Sequence, residues 1–273
     1  MSKKKRRPIP RFQHPIIETH CHLDYLDDAQ LLQTLDEAKQ VGIERIVTIA
    51  VSPDNLDKVV SLSASHSQVW GTQGIHPHDA AQYTDAVEDK IIVNLANPRI
   101  LAVGEIGLDY YYEHSNRITQ GQAFERQLQI ASDANLPVVI HTREAEHDTR
   151  AILENFSHLL PKKGVIHSFT SSLDLAEYCL SEGFSLGFNG ITTFNQADNV
   201  REVVVATPVD KIVLETDAPY LTPVPYRGRV NAPQYLPFIA EKIAELKKLD
   251  IEQLLSQVYR NSIELLFTDN SAQ

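Results

Sequence analysis

Cysteine is scarce in this chain. Only Cys21 and Cys179 occur among 273 residues. With no export signal ahead of them they read as free thiols, which excludes a disulfide-stapled secreted fold. Long apolar runs are missing as well: no stretch of about 18 apolar residues exists to cross a bilayer. The run K-K-K-R-R before Pro8 lacks the apolar core of a secretory signal. A cytoplasmic protein without membrane attachment is therefore expected. Positive charge is in deficit, with 25 Lys and Arg against 36 Asp and Glu and a formal net charge of −11. That excludes a broad basic surface of the kind that holds duplex DNA, so any nucleic-acid contact must be local. Repeats and coiled-coil heptads are lacking too, and a monomer is the expectation.

What is present is an ordinary globular composition, 42% hydrophobic and 22% charged, in a chain long enough for a large core. Apolar runs of strand length recur at 16–22, 45–51, 69–76, 100–108, 137–142, 164–169, 184–190 and 211–217. Between them lie segments of helical period at 29–40, 55–65, 119–134 and 174–181, the third opened by a T-x-x-Q capping-box spacing at Thr119. A Pro-rich loop over 218–237 and two further helical patterns, about 238–248 and 251–267, complete the chain. Strands separated by helices imply right-handed crossovers and a parallel sheet, and eight such units close into a (β/α)8 TIM barrel. No phosphate-binding glycine motif follows any strand, which disfavours an open doubly wound sheet. Residues 1–15 read as a basic, disordered tail and 16–270 as one barrel domain.

A barrel of this kind carries its chemistry at the C-terminal strand ends, and polar residues interrupt the apolar runs there. In I-I-E-T-H-C-H the pleat puts His20 and His22 on one face and Cys21 on the other. Strand three ends in His76 and His78, strand four in Glu105, strand five in His141 and Arg143, strand six in His167, strand eight in Glu215 and Asp217. An isolated H-x-H pair means little, but imidazoles and carboxylates delivered to one rim by several strands point to a metal site. His20, His22, Glu105, His141, His167 and Asp217 exceed what one catalytic cation takes from protein, so two divalent ions are expected, with Glu105 as the carboxylate between them. Histidine-rich ligation favours zinc, manganese or iron by softness. His78, beyond Pro77, reads as readily as a solvated loop residue as a rim residue, and Glu215 as a carboxylate that orients a ligand or water.

The ordered set H-C-H, G-I-H-P-H, G-E-I-G-L-D-Y-Y, V-I-H-T-R, I-H-S-F, L-E-T-D-A-P-Y-L and Y-R-G-R-x-N-x-P resembles the TatD family of metal-dependent deoxyribonucleases over nearly everything past residue 15. The resemblance implies an amidohydrolase-like TIM barrel that hydrolyses phosphodiester bonds, typically as a 3′ to 5′ exonuclease on single-stranded DNA, with magnesium or manganese supporting turnover. By motif, His20 and His22 would hold one metal, His141 and His167 the other, Glu105 would bridge, and Asp217 would be ligand and base. His76 and Arg143 would sit near the phosphate. Two features depart from the family pattern: Glu18 stands where Asp is usual, and Ser171 and Ser172 replace the glycine-containing turn after His167.

The residues suit that chemistry. A divalent ion lowers the pKa of bound water and polarises a phosphoryl oxygen. Asp217 is placed to take the water's proton. Arg143 offers a planar fork to phosphate, and His76 a single donor. Tyr110, Tyr111 and Tyr112, with Tyr220, Tyr226, Arg227 and Arg229, are candidates for contact with single-stranded DNA or RNA. The alternative is hydrolysis of a carboxylic ester, lactone or amide, including the ester of an aminoacyl-tRNA, since hydroxide attacks carbonyl carbon as readily as phosphorus.

Overall fold

The computed structural model describes residues 6–267. Eight parallel strands run in the order β1 (Ile16–Cys21), β2 (Ile43–Thr48), β3 (Val69–Gln73), β4 (Ile100–Asp109), β5 (Val138–Arg143), β6 (Gly164–Ile166), β7 (Ser185–Phe188) and β8 (Ile212–Leu214). The seam between β8 and β1 is joined by backbone bonds from His22 N–H to Ala218 O at 2.8 Å and from Asp217 N–H to His20 O at 2.9 Å. Helices α1 (Asp28–Gln40), α2 (Leu56–Ser65), α3 (Asp85–Leu95), α4 (Arg117–Ala134), α5 (Glu146–Phe156), α6 (Leu173–Ser181) and α7 (Asp198–Ala206) fill the crossovers, and α8 (Leu236–Lys247) and α9 (Ile251–Leu266) follow β8. The expected TIM barrel is the observed one.

Its interior is layered. Ile17, Val47, Leu101, Val139, Val165 and Val213 pack together, with Leu266 and Phe267 in the same cluster. Val139, Val165 and Val213 each precede by two residues a polar group, His141, His167 and Glu215. Two residues along a strand is one pleat, so the polar layer stands directly on the apolar one. This stacking carries the histidines to the C-terminal rim.

Three parts of the sequence reading change. Helix α4 starts at Arg117, because Asn116 is the cap: its side chain accepts from Thr119 N–H at 2.9 Å. Asn is a stronger N-cap than Thr, so the T-x-x-Q spacing lies inside the helix. Helices α3, α5 and α7 had no expected counterpart; α3 buries Ile91 alone, which leaves little period to see. The tail expected to be disordered is ordered from Arg6: Arg7 pairs with both carboxylate oxygens of Glu241, and Gln13 and His14 donate their N–H groups to Glu252 at 2.8 and 3.0 Å. Lys3, Lys4 and Lys5 of the basic run lie outside the described residues.

Candidate metal centre

Glu105 is the hub of the rim. Its Oε2 lies 3.4 Å from His20 Nε2, and its Oε1 lies 2.7 Å from His167 Nε2, 3.0 Å from His141 Nδ1 and 3.4 Å from His76 Nε2. Asp217 Oδ1 completes the first side, 3.5 Å from His22 Nε2 and 3.8 Å from His20 Nε2. One oxygen of a buried carboxylate thus faces the His20, His22 and Asp217 group while the other faces His141 and His167. Burial raises the Glu105 pKa, but the surrounding imidazoles of His167, His76 and His141 outweigh it and hold the carboxyl well below its usual range.

The far nitrogens fix which lone pairs point inward. His141 turns Nε2 to Asp109 Oδ2 and Nδ1 to Glu105 Oε1, each at 3.0 Å, so with a cation at Nδ1 the ring proton would sit on the Asp109 side. His167 directs Nδ1 toward Glu215 Oε1 at 3.6 Å and Nε2 to the centre. His76 is arranged the other way: its Nδ1 accepts the N–H of His78 at 3.1 Å. Burial pushes the His76 pKa down to about 4. A neutral ring whose Nδ1 accepts must carry its proton on Nε2, so His76 presents a donor to the site rather than a lone pair.

Local sequence builds this geometry. Glu18 Oε1 accepts the N–H of His20 at 3.0 Å and of Thr216 at 2.9 Å, tying the end of β1 to the chain leaving β8. Glu215 Oε1 accepts Ser168 N–H at 2.6 Å and so anchors the backbone after His167. Gly187 makes room for it, since a Cβ there would overlap the Glu215 carboxylate. Gly107 has a φ of 135° and a Cβ there would collide with the His141 carbonyl. Asp217 itself has a φ of 58°, a conformation that costs energy for a residue with a side chain and is found often at functional sites.

Do these side chains fit a metal? Both ring nitrogens of His20 are buried with no hydrogen-bond partner, and its Nε2 faces the centre. Native interiors rarely leave such groups unsatisfied. His20, His22 and Asp217 bring one ligand atom each within 4.8 Å of one another, as do His20, Glu105 and His167. Imidazole lone pairs with carboxylate oxygens are a donor set for a divalent cation, and the residues fit.

The TatD related DNase family model matches residues 17–267. The chain belongs to the TatD family. An uncharacterized metal-dependent hydrolase of Bacillus subtilis, YabD, is 34% identical over 92% of this chain and 98% of its own length. The deoxyribonuclease Tat-D of Schizosaccharomyces pombe is 33% identical over 90% of each chain. Among solved structures, the TatD homologue YJJV of Escherichia coli superposes with a TM-score of 0.88 at 27% identity, covering 93% of this chain and 98% of that one. This TatD-family protein is a metal-dependent hydrolase.

All seven rim residues named from the sequence as ligands or as His76 meet around Glu105. Arg143 stands at the edge, paired in register with Asp109. Its guanidinium lies 3.9 Å from the centre of the Tyr111 ring and 4.9 Å from that of Tyr112. Tyr226 is taken up by packing: its hydroxyl donates to Arg7 O at 3.1 Å and its ring sits on Tyr235 and Phe238. Tyr110 bonds Asp148 at 2.6 Å. Of the two readings of His78, the structure supports the rim residue: it is a half-buried partner of Asp109 Oδ2 at 3.1 Å. Sequence reasoning missed Asp109. Its spacing from Glu105, four residues along one strand, was the available signal. No helix among the described residues is long and apolar enough to cross a membrane.

Proposed function

We propose that this TatD-family hydrolase is a phosphodiesterase that removes nucleotides one at a time from the 3′ end of single-stranded DNA, using two divalent ions that share Glu105. The observation carrying this reading is the division of labour at Glu105, one oxygen to each ligand group. Two-metal sites of this form are suited to in-line displacement at phosphorus. His20, His22 and Asp217 would hold one ion, His141 and His167 the other. When bound, such ions lower the pKa of water and polarise a phosphoryl oxygen.

The chain's own groups supply the rest. Asp217, ionised and with 14% of its side chain exposed, takes a proton from the attacking water and returns it to the O3′ leaving group as the P–O3′ bond breaks. His76 donates from Nε2 to a non-bridging phosphate oxygen, and it stays neutral, so it needs no counter-charge. Arg143, stacked on Tyr111 and Tyr112, is preorganised to meet the phosphate with its fork. Magnesium, manganese and zinc are the candidate ions.

The test is a single-stranded oligonucleotide labelled at its 5′ end, incubated with each metal or with chelator, beside Glu105→Ala. A metal-dependent ladder of stepwise shortened products that the variant does not make is expected. No cleavage with any metal, from protein that holds its ions, would rule out the nuclease and turn attention to carboxylic esters and lactones.

A further inference from the structure

A cavity of about 270 Å³ opens beside His22, between α1 and the loop that follows β8. We propose that it seats the terminal nucleoside of the strand being cut and admits an end with a free hydroxyl; this rests on the nuclease reading above. The volume lies near the lower bound of about 300 Å³ for small-molecule pockets, which suits one nucleoside and not a run of them.

The lining matches a planar heterocycle. Leu26, Pro219 and Val230 give apolar walls. Along the same cavity α1 sets out unused polar groups. Gln30 spends its Oε1 on Asp27 N–H and keeps its amide donors. Gln33 donates to Glu37 at 2.7 Å and keeps its carbonyl oxygen. The Thr34 hydroxyl makes no hydrogen bond among the described residues. A donor, an acceptor and a hydroxyl between apolar walls are what a base edge requires. At the metal end the His22 ring lines the cavity. Tyr25 stacks on His22 at 5.2 Å, and its half-exposed ring stands 6.4 Å from that of Tyr220; these rings continue the aromatic surface outward for the next base.

Glu37 supplies the selectivity. It lines the same cavity seven residues beyond Gln30, about 10 Å along the helix. Gln33 and Gln234 hold its two oxygens in place. A fixed carboxylate there repels a phosphate and accepts from a hydroxyl, so a strand that continues, or one that ends in phosphate, is refused.

The experiment uses metal-loaded protein and three 5′-labelled single-stranded oligonucleotides that end in a 3′ hydroxyl, in a 3′ phosphate, or in an abasic sugar with a 3′ hydroxyl. The first is expected to be cut at least tenfold more efficiently than either other, measured as kcat/KM. Thr34→Trp, which fills the cavity, should erase that preference. Gln33→Met, on an exposed helix face where folding is not at risk, should raise KM severalfold for the hydroxyl-ended strand. Wild-type rates within twofold for all three ends, or a Thr34→Trp enzyme with unaltered preference, would overturn the cavity while leaving the nuclease intact. If wild type cuts none of them, the nuclease reading fails on its own, and calorimetric titration with deoxyadenosine decides the cavity: saturable binding lost in Thr34→Trp supports it, and no binding to wild type overturns it.

Discussion

Asp109 Oδ2 receives His141 Nε2 at 3.0 Å, on the side of the ring opposite Glu105. The same oxygen meets His78, and Oδ1 accepts the N–H groups of Tyr111 and Tyr112 at 3.0 and 2.9 Å. One carboxylate therefore orients the His141 ring and holds the loop on which Arg143 rests. Burial raises its pKa, but hydrogen bonds from His141 and His78 prevail and keep it ionised far below the usual range. Asp109→Asn keeps the shape and removes the charge. It is expected to weaken metal affinity about 10- to 100-fold, as loss of such supporting partners does, with the melting temperature little changed. Asp109→Ala should lower both. Chelator-competition titration and thermal melting distinguish the two, and an Asp109→Asn protein with wild-type affinity would remove Asp109 from the account.

Gly187 is a prediction about space. A methyl there would drive the Glu215 carboxylate from the position where it holds Ser168 N–H at 2.6 Å. Overpacking of this kind costs about 1 to 3 kcal/mol. Gly187→Ala is expected to lose that much stability in denaturant unfolding and to retain less metal, because His167 precedes the displaced Ser168. Wild-type stability and metal content in this variant would show that Glu215 has room to move.

Glu18 gives a pH dependence. Burial raises its pKa to about 8 from an ordinary value of 4.5, although N–H groups of Thr216 and His20 oppose the shift. The folded state thus keeps a proton that the unfolded chain has released, and the stability linked to this group is full below about pH 4.5 and is lost as pH rises through 8. Glu18→Gln deletes that titration and retains an acceptor oxygen for the two N–H groups. In metal-free protein, the melting temperature of Glu18→Gln relative to wild type is therefore expected to rise between pH 5 and pH 8.5. Parallel pH profiles for the two proteins would refute the assignment.

The sequence made the barrel and most of the rim legible for one reason: a period of two sorts strand residues by face, and histidines two residues beyond Val139 and Val165 could only point with them. Asp109 shares that logic with Glu105 but lies one residue past the run 100–108 read as the strand, whereas β4 extends through it. The sequence leaves His78 open because Pro77 allows an exposed loop, whereas Pro77 opens a short helical turn that brings the ring back onto Asp109. The order from Arg6 onward was invisible because its partners, Glu241 and Glu252, lie more than 230 residues away. The sequence also could not reveal that His76 accepts through Nδ1, a matter of backbone geometry at the next turn.

If Glu105 holds two ions together, counting the metal in the protein and in a Glu105 variant reveals it. Protein saturated with manganese, desalted and analysed by inductively coupled plasma mass spectrometry is expected to carry about two ions per chain, as a two-metal site requires, and Glu105→Ala at most one. Wild-type protein that saturates at one ion, or a Glu105→Ala protein that still holds two, would contradict the account.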